Sequence, residues 1–299
     1  MISERDTFST YNPLINFIFF IGAIVQGMFF IHPGFLACAL VMSAAYYFTI
    51  KGTGAVKLLM IMLPIFALLT VINPIFNRYG QTVLFTYFGG RPYTLEALYY
   101  GIAMGVMFVV IVIWFACYSA VMTSDKFMYI FGRFIPSVSM ILTMVLRLIP
   151  DYQKKLVQIG TARKCIGKGT NEGTKKEKIH NGMTVLSTLT TWAFEGGIST
   201  ADSMRSRGYG SGGRTAFSIY RFDGRDKTLT VIMALLIVIT CVCGFAGGAA
   251  AEYTPRLIVS GSDDPFTTTG IIAYGLFLII PTALNIKEAI TWHVFRSRI

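Results

Sequence analysis

Two short arginine-bearing runs lie within a basic stretch of the chain, from Arg147 to Lys227. The first run is Thr161-Ala162-Arg163-Lys164, and the second is Arg205-Ser206-Arg207-Gly208-Tyr209-Gly210. The whole stretch contains fifteen Lys and Arg residues against seven Asp and Glu residues. Because a planar guanidinium forms paired hydrogen bonds with a carboxylate, each run predicts contact with an acidic surface.

The segments that position these runs are predicted to be helices. Polar and apolar residues alternate with helical spacing over about 152–164 and 183–207, and Gly167 and Gly208 are expected to end the two helices. Basic residues in a last turn also complement the helix dipole, which explains one such run without any partner. The same arrangement occurs twice, however, and this favours two helix tips that bind a partner with two similar grooves.

The composition predicts an all-α, polytopic membrane protein. Of the 299 residues, 54% are hydrophobic and only 14% are charged, with a mean hydropathy of +0.60. A helix needs about 20 apolar residues to cross a hydrocarbon core of about 30 Å. The predicted spans are Leu14–Ile31, Gly34–Ile50, Val56–Phe76, Ala97–Met122, Thr228–Ala250 and Gly270–Ile286.

The distribution of charge predicts the topology. A strongly basic loop belongs in the cytoplasm. The chain is therefore expected to lie in the cell membrane with both termini on the cytoplasmic side. If Met128–Pro150 crossed the bilayer, the basic stretch would lie outside; this segment is therefore expected to lie along the cytoplasmic leaflet or dip into it. The chain then divides into an N-terminal transmembrane bundle (1–126), an amphipathic cytoplasmic region (127–227) and C-terminal transmembrane helices (228–299).

Residues that would support catalysis are sparse. The predicted spans contain almost no ionisable side chains, and the glycine-rich Gly208–Arg214 segment lacks the lysine of a phosphate-binding P-loop. Asp223-Gly224-Arg225-Asp226 is interpreted as a solvated turn, and the five cysteines form no CxxC pair. The sequence predicts no enzyme activity, no metal site, no cofactor and no nucleic-acid partner for this chain.

The second arginine run carries a family resemblance. Ala201-Asp202-Ser203-Met204-Arg205-Ser206-Arg207-Gly208-Tyr209-Gly210 is followed by Ser211-Gly212-Gly213-Arg214-Thr215, and Leu146-Arg147-Leu148-Ile149-Pro150 lies upstream. Together they resemble the transmembrane T component of energy-coupling factor (ECF) transporters. These importers of vitamins and of transition metals such as cobalt or nickel carry two Ala-Arg-Gly signatures at the ends of cytoplasmic coupling helices.

The two runs depart differently from that signature. Ser206 replaces an alanine, a small-for-small change that leaves Arg207 placed as in the family. Lys164 stands where glycine is usual, so the first helix is expected to continue for another turn and end near Gly167.

The resemblance implies that transport requires several different proteins. Two cytoplasmic ABC ATPases would bind ATP and Mg²⁺, and a small membrane protein, the S component, would bind the substrate. The implied ATPase-coupling residues are Ala162, Arg163, Arg205, Ser206, Arg207 and Gly208. The implied S-component or lever face comprises Met140, Met144, Arg147 and Pro150.

Two other functions remain open at this point. A conventional ABC permease domain would line a transport path itself, without a separate S component. A membrane-bound enzyme would use the Gly208–Arg214 segment to hold an anionic lipid.

Overall fold

The computed structural model describes residues 6–77, 80–87, 91–209, 220, 222–249, 251–253, 258–259 and 264–296. Most of these residues are helical, which confirms the predicted all-α fold. The helices are α1 (Pro13–Phe29), α2 (Pro33–Lys51), α3 (Ala55–Phe76), α4 (Leu95–Val121), α5 (Ser124–Phe134), α6 (Pro136–Cys165), α7 (Lys175–Ser206), α8 (Gly224–Cys243) and α9 (Pro265–Arg296). Two short antiparallel hairpins are formed by β1 (Val83–Tyr87) with β2 (Arg91–Thr94) and by β3 (Ala251–Glu252) with β4 (Ile258–Val259).

Each of the six predicted spans coincides with an apolar helix. Four helical stretches are long and apolar enough to cross a membrane: Pro33–Phe76, Leu95–Val121, Gly224–Gly248 and Pro265–Arg296. The first of these stretches contains both α2 and α3, which meet at a 3₁₀ turn, while α1 is a shorter apolar helix. The fold is therefore that of a polytopic membrane protein.

The chain divides into two compact units. One comprises Met1–Phe127 together with Tyr220–Ile299, and the other comprises Met128–Ile219. The first unit contains every helix that matches a predicted span. The second contains α6 and α7, which carry the two arginine runs.

A cluster of aromatic rings forms the centre of the first unit. The ring of Phe19 meets the ring of Trp114 edge-on at 5.5 Å between centroids, and it lies 5.1 Å from the ring of Phe277. All three side chains are fully buried. Since they belong to α1, α4 and α9, this cluster holds together helices that are far apart in sequence.

Small residues allow two of the apolar helices to approach closely. A Cβ atom on Gly101 would lie 2.8 Å from the carbonyl oxygen of Thr70, and one on Gly105 would lie 2.8 Å from the ring of Phe66. Both contacts join α4 to α3. The small-xxx-small spacing of these glycines therefore serves packing within the chain.

A buried polar cluster anchors the residues before α1. The hydroxyl of Tyr46 and the amide of Asn285 donate to the carboxylate of Asp6. The ammonium of Lys126 donates to the carbonyl oxygen and hydroxyl of Ser9, at 2.6 and 2.7 Å. Burial raises the pKa of Asp6, although its hydrogen bonds oppose the shift, and burial lowers the pKa of Lys126 to about 8.

Helix α6 differs from the sequence-based prediction in where it begins. The change from apolar to polar residues at Asp151 suggested a boundary near Pro150, but α6 runs without interruption from Pro136 to Cys165. The break lies at Ile135, which has non-helical dihedral angles (φ −134°, ψ 78°). The residue before a proline is disfavoured in the helical region, and a proline at the first helical position has no hydrogen bond to lose.

Helix α7 begins earlier than predicted. Its first residue is Lys175 rather than a residue near Met183, because Thr174 and Glu177 form a reciprocal capping box. The helix continues without interruption through Gly196 and Gly197.

Candidate functional site

Helices α6 and α7 form an antiparallel hairpin. The ring of Tyr152 meets the ring of Trp192 edge-on at 5.5 Å, and the ammonium of Lys155 lies 5.3 Å from the centroid of the same indole. Further along the pair, Arg163 contacts Asn181. Residue numbers therefore rise on one helix as they fall on the other, which places the end of α6 beside the start of α7.

The end of α6 has the hydrogen bonds of a Schellman motif. Gly167 has a φ of +71°, its amide donates to the carbonyl of Lys164 at 3.0 Å, and the amide of Lys168 donates to the carbonyl of Arg163 at 3.0 Å. The helix thus ends near Gly167, as predicted, but it passes Lys164 by one residue, Cys165, rather than by a further turn. We call residues 163–168 the α6 tip.

The end of α7 repeats the same motif. Gly208 has a φ of +73°, its amide donates to the carbonyl of Arg205 at 3.0 Å, and the amide of Tyr209 donates to the carbonyl of Met204 at 3.1 Å. We call residues 204–209 the α7 tip. A left-handed glycine thus ends both helices, as predicted.

The shared motif shows that the two arginines are not equivalent. When the tips are compared by these hydrogen bonds, Gly167 corresponds to Gly208, and the residue before each glycine is Ile166 in one tip and Arg207 in the other. Arg163 lies three positions before Ile166, within the helix. The two tips therefore present different side chains at the same place.

The side chain of Arg163 turns back towards α7. Its Nη2 donates to the Oδ1 of Asn181 at 3.2 Å, and the Nδ2 of Asn181 donates to the carbonyl of Gly169 at 3.1 Å. Asn181 is only 8% exposed and Gly169 is buried. Arg163 and Asn181 therefore brace the turn that joins the two helices.

Arg207, in contrast, is exposed at the end of α7. The side chains of Arg205, Ser206, Arg207 and Tyr209 are all exposed. From Asn181 to Arg207 the helix advances 26 residues, or about 39 Å at 1.5 Å per residue. The two arginine-bearing tips are therefore held at opposite ends of a long helix.

Three of the residues predicted to form a lever face, Met140, Met144 and Arg147, share one face of α6 by their spacing. Met140 and Met144 are half-buried, whereas Arg147 and Pro150 are exposed. The same helix also carries exposed apolar side chains at helical spacing, namely Val138, Ile141, Val145 and Leu148. Ala162, from the first arginine run, is exposed as well.

The acidic side chains near the α6 tip bind the backbone. Glu172 accepts from the amide of Gly169 at 3.2 Å, and Glu177 accepts from the amide and hydroxyl of Thr174 at 2.7 and 2.8 Å. These hydrogen bonds from Thr174 lower the pKa of Glu177. Both carboxylates therefore stabilise the local backbone. The exposed lysines around them make the surface near the α6 tip positively charged.

Other residues with potential chemistry have structural roles. Asp223 and Asp226 form a capping box at the start of α8, and the Nδ1 of His32 accepts from the amide of Gly34 at the start of α2. Most of the predicted anion-binding segment Gly208–Arg214 lies outside the described part of the chain, because residues 210–219 are not described.

Comparison with known proteins gives one informative match. No family model matches the sequence. Over 106 residues, however, the chain is 31% identical to the energy-coupling factor transporter transmembrane protein EcfT of Lactococcus lactis subsp. cremoris. The chain is thus similar to an ECF transporter transmembrane protein. The match covers 34% of this chain, which spans about 40% of the length of that relative. This match confirms the predicted resemblance to an ECF transmembrane component.

Sequence reasoning missed Asn181 and Ile166. An asparagine four residues before the apolar Val185, on what proves to be the buried side of α7, is a signal for a buried polar contact. An isoleucine directly before a helix-ending glycine, among lysines, is a signal for an exposed apolar contact point.

Proposed function

We propose that this chain is the transmembrane coupling component of an ECF-type importer for a micronutrient, a vitamin or a transition metal. It transmits the ATP-driven motion of two cytoplasmic ATPases to a separate membrane S component, which binds the substrate. The similarity to an ECF transmembrane protein supports the class of protein, and the hairpin supports the mechanism.

The observation that carries the proposal is the exposed Arg207 at the end of α7. A guanidinium held by a rigid helix forms a bidentate bond with a carboxylate, so the contact both attracts a partner and resists lateral displacement. In this mechanism Arg207 inserts into an acidic groove of an ATPase. Arg205, Ser206 and Gly208 set the direction in which it projects.

The contacts within the hairpin suit it to act as a lever. The contacts of Tyr152 and Lys155 with Trp192 join α6 to α7 at one level, and the Arg163–Asn181 brace joins them at another. Motion of one helix therefore carries the other. The exposed apolar side chains of α6, with Met140, Met144, Arg147 and Pro150, then contact the S component within the membrane. ATP and Mg²⁺ are bound by the ATPases, and this chain needs no cofactor of its own.

Charge reversal at the α7 tip tests this proposal. An affinity-tagged chain is purified from its native membrane, and its associated proteins are identified by peptide mass spectrometry and assayed for ATP hydrolysis. Arg207→Glu should remove the ATPases, whereas Lys287→Glu, the same charge change at an exposed position of α9, should retain them. Recovery of no ATPase with the unsubstituted chain, or full recovery with Arg207→Glu, contradicts the proposal.

A further inference from the structure

The α6 tip presents an apolar side chain where the α7 tip presents an arginine. Ile166 and Arg207 each precede the left-handed glycine of the same hydrogen-bonded motif. The backbone therefore projects the two side chains from equivalent positions. If both tips bind a partner, Ile166 is the residue of the α6 tip that occupies the position of Arg207 in the contact.

Ile166 is the C-cap residue of the α6 tip, and its side chain is 68% exposed. Its neighbours Lys164, Cys165 and Lys168 are exposed too. An apolar side chain surrounded by lysines predicts a pocket that is apolar at its centre and acidic at its edge.

The charge around the α6 tip agrees with an acidic rim. Residues 163–178 contain six Lys and Arg residues and two Asp and Glu residues, and Glu172 and Glu177 both accept hydrogen bonds from the backbone. The lysines of this segment are exposed. A partner that covers the α6 tip must therefore supply carboxylates of its own.

The position of Arg163 argues against it as the main residue that contacts an ATPase. Its Nη2 is occupied by Asn181, and its Nε is a buried atom that has no hydrogen-bond partner among the described residues. A carboxylate from a partner would compete with Asn181 for the Nη2 of this guanidinium. Arg163 is a positioning residue, and the contact surface lies beyond it.

We infer that the α6 tip docks through Ile166 into an apolar pocket with an acidic rim on one ATPase, whereas the α7 tip docks through Arg207 onto a carboxylate of the other. The two grooves therefore differ in chemistry, and each tip selects its own ATPase surface. This inference rests on the proposed function and adds the residue that determines specificity at the α6 tip.

The test uses the complex of the tagged chain with its co-purified ATPases in neutral-lipid nanodiscs. Ile166→Ser should weaken ATPase binding roughly tenfold, because it removes most of a buried apolar side chain. Ile166→Leu should bind nearly as well as the unsubstituted chain. The matched control is Ile198→Ser, since Ile198 is 64% exposed on α7, away from both tips.

Cys165 supplies a second measurement that does not depend on any substitution. It is exposed in the α6 tip, and ATPase binding should slow its reaction with a maleimide. Unchanged labelling, or unchanged binding by Ile166→Ser, would overturn this inference, and the Arg207→Glu result would still decide the proposed function. Protection of Cys165 by anionic-lipid nanodiscs without ATPases would also overturn it, because the tip would then bind a membrane surface.

Discussion

The Nη2 of Arg163 donates to the Oδ1 of Asn181 at 3.2 Å, which joins the last turn of α6 to the second turn of α7. The same asparagine donates to the carbonyl of Gly169 in the intervening turn. One buried amide therefore fixes a guanidinium, a loop and a helix. This explains why an arginine near a helix end has a structural role here.

Removal of this amide should loosen the hairpin turn. Asn181→Ala removes both hydrogen bonds and leaves buried groups of Arg163 and Gly169 unpaired, at a cost of about 1–3 kcal/mol in the free energy of unfolding. Hydrogen exchange of residues 166–174 should become faster. Asn171→Ala, at an exposed position of the same turn, is the control and should leave the exchange rates unchanged. Equal protection in the two variants would show that the brace contributes nothing.

Alanine should have opposite effects at Gly182, inside α7, and at Gly208, just beyond its end. At Gly208, where φ is +73°, a side chain costs about 1–2 kcal/mol because an L-residue is strained there. Gly182 lies inside the helix, and the space that an added methyl group would occupy is open, so alanine should stabilise the helix by about 0.5–1 kcal/mol. Thermal unfolding and hydrogen exchange of the last turn measure both changes. A stabilising Gly208→Ala would contradict the cap geometry.

The buried Lys126 should make stability depend on pH in the alkaline range. Its pKa is lowered to about 8 from its ordinary value of 10.5, because burial penalises the charged form more than Asp6 favours it. Between these two values the unfolded chain holds more protons, so the free energy of unfolding should increase as the pH rises from about 8 to 10.5. Denaturant unfolding at several pH values measures this increase. Lys126→Met should reduce it, and Lys51→Met, at the exposed end of α2, should preserve it.

The native Cys165 should report on which side of the membrane the hairpin lies. It is exposed, whereas Cys117 and Cys243 are buried and Cys38 and Cys241 are partly buried within apolar helices. A membrane-impermeant maleimide should label inside-out vesicles and leave right-side-out vesicles unlabelled. Cys165→Ser should abolish the signal. Labelling of right-side-out vesicles through Cys165 would overturn the cytoplasmic placement of the basic stretch.

Features that depend on neighbouring residues were predictable from the sequence. Apolar runs predicted six apolar helices, and Gly167 and Gly208 predicted the ends of α6 and α7, because a left-handed glycine cap is a local property of the chain. The start of α6 was predicted wrongly. A change in composition at Asp151 resembled a helix boundary, but neither that change nor Pro150 interrupts the helix, and the backbone breaks at Ile135.

The role of Arg163 was not predictable from the run that contains it. Its partner Asn181 lies 18 residues away, and the contact exists only because α6 and α7 pair in one register. The difference between the tips was hidden for a related reason. Aligning the two runs by their arginines pairs Arg163 with Arg207, whereas aligning the caps pairs Ile166 with Arg207.

The length of α7 sets a strict condition on any partner that binds both tips. Each residue inserted between Asn181 and Arg207 would move the arginine by about 1.5 Å and rotate it by about 100° around the helix axis. A partner that binds both tips therefore requires a fixed distance between the brace and Arg207 and a fixed angle of Arg207 around the helix axis. Insertions at 170–173, beyond the α6 tip and Gly169, leave both quantities of α7 unchanged, so relatives should vary in length there and keep the interval from the brace to Arg207 constant.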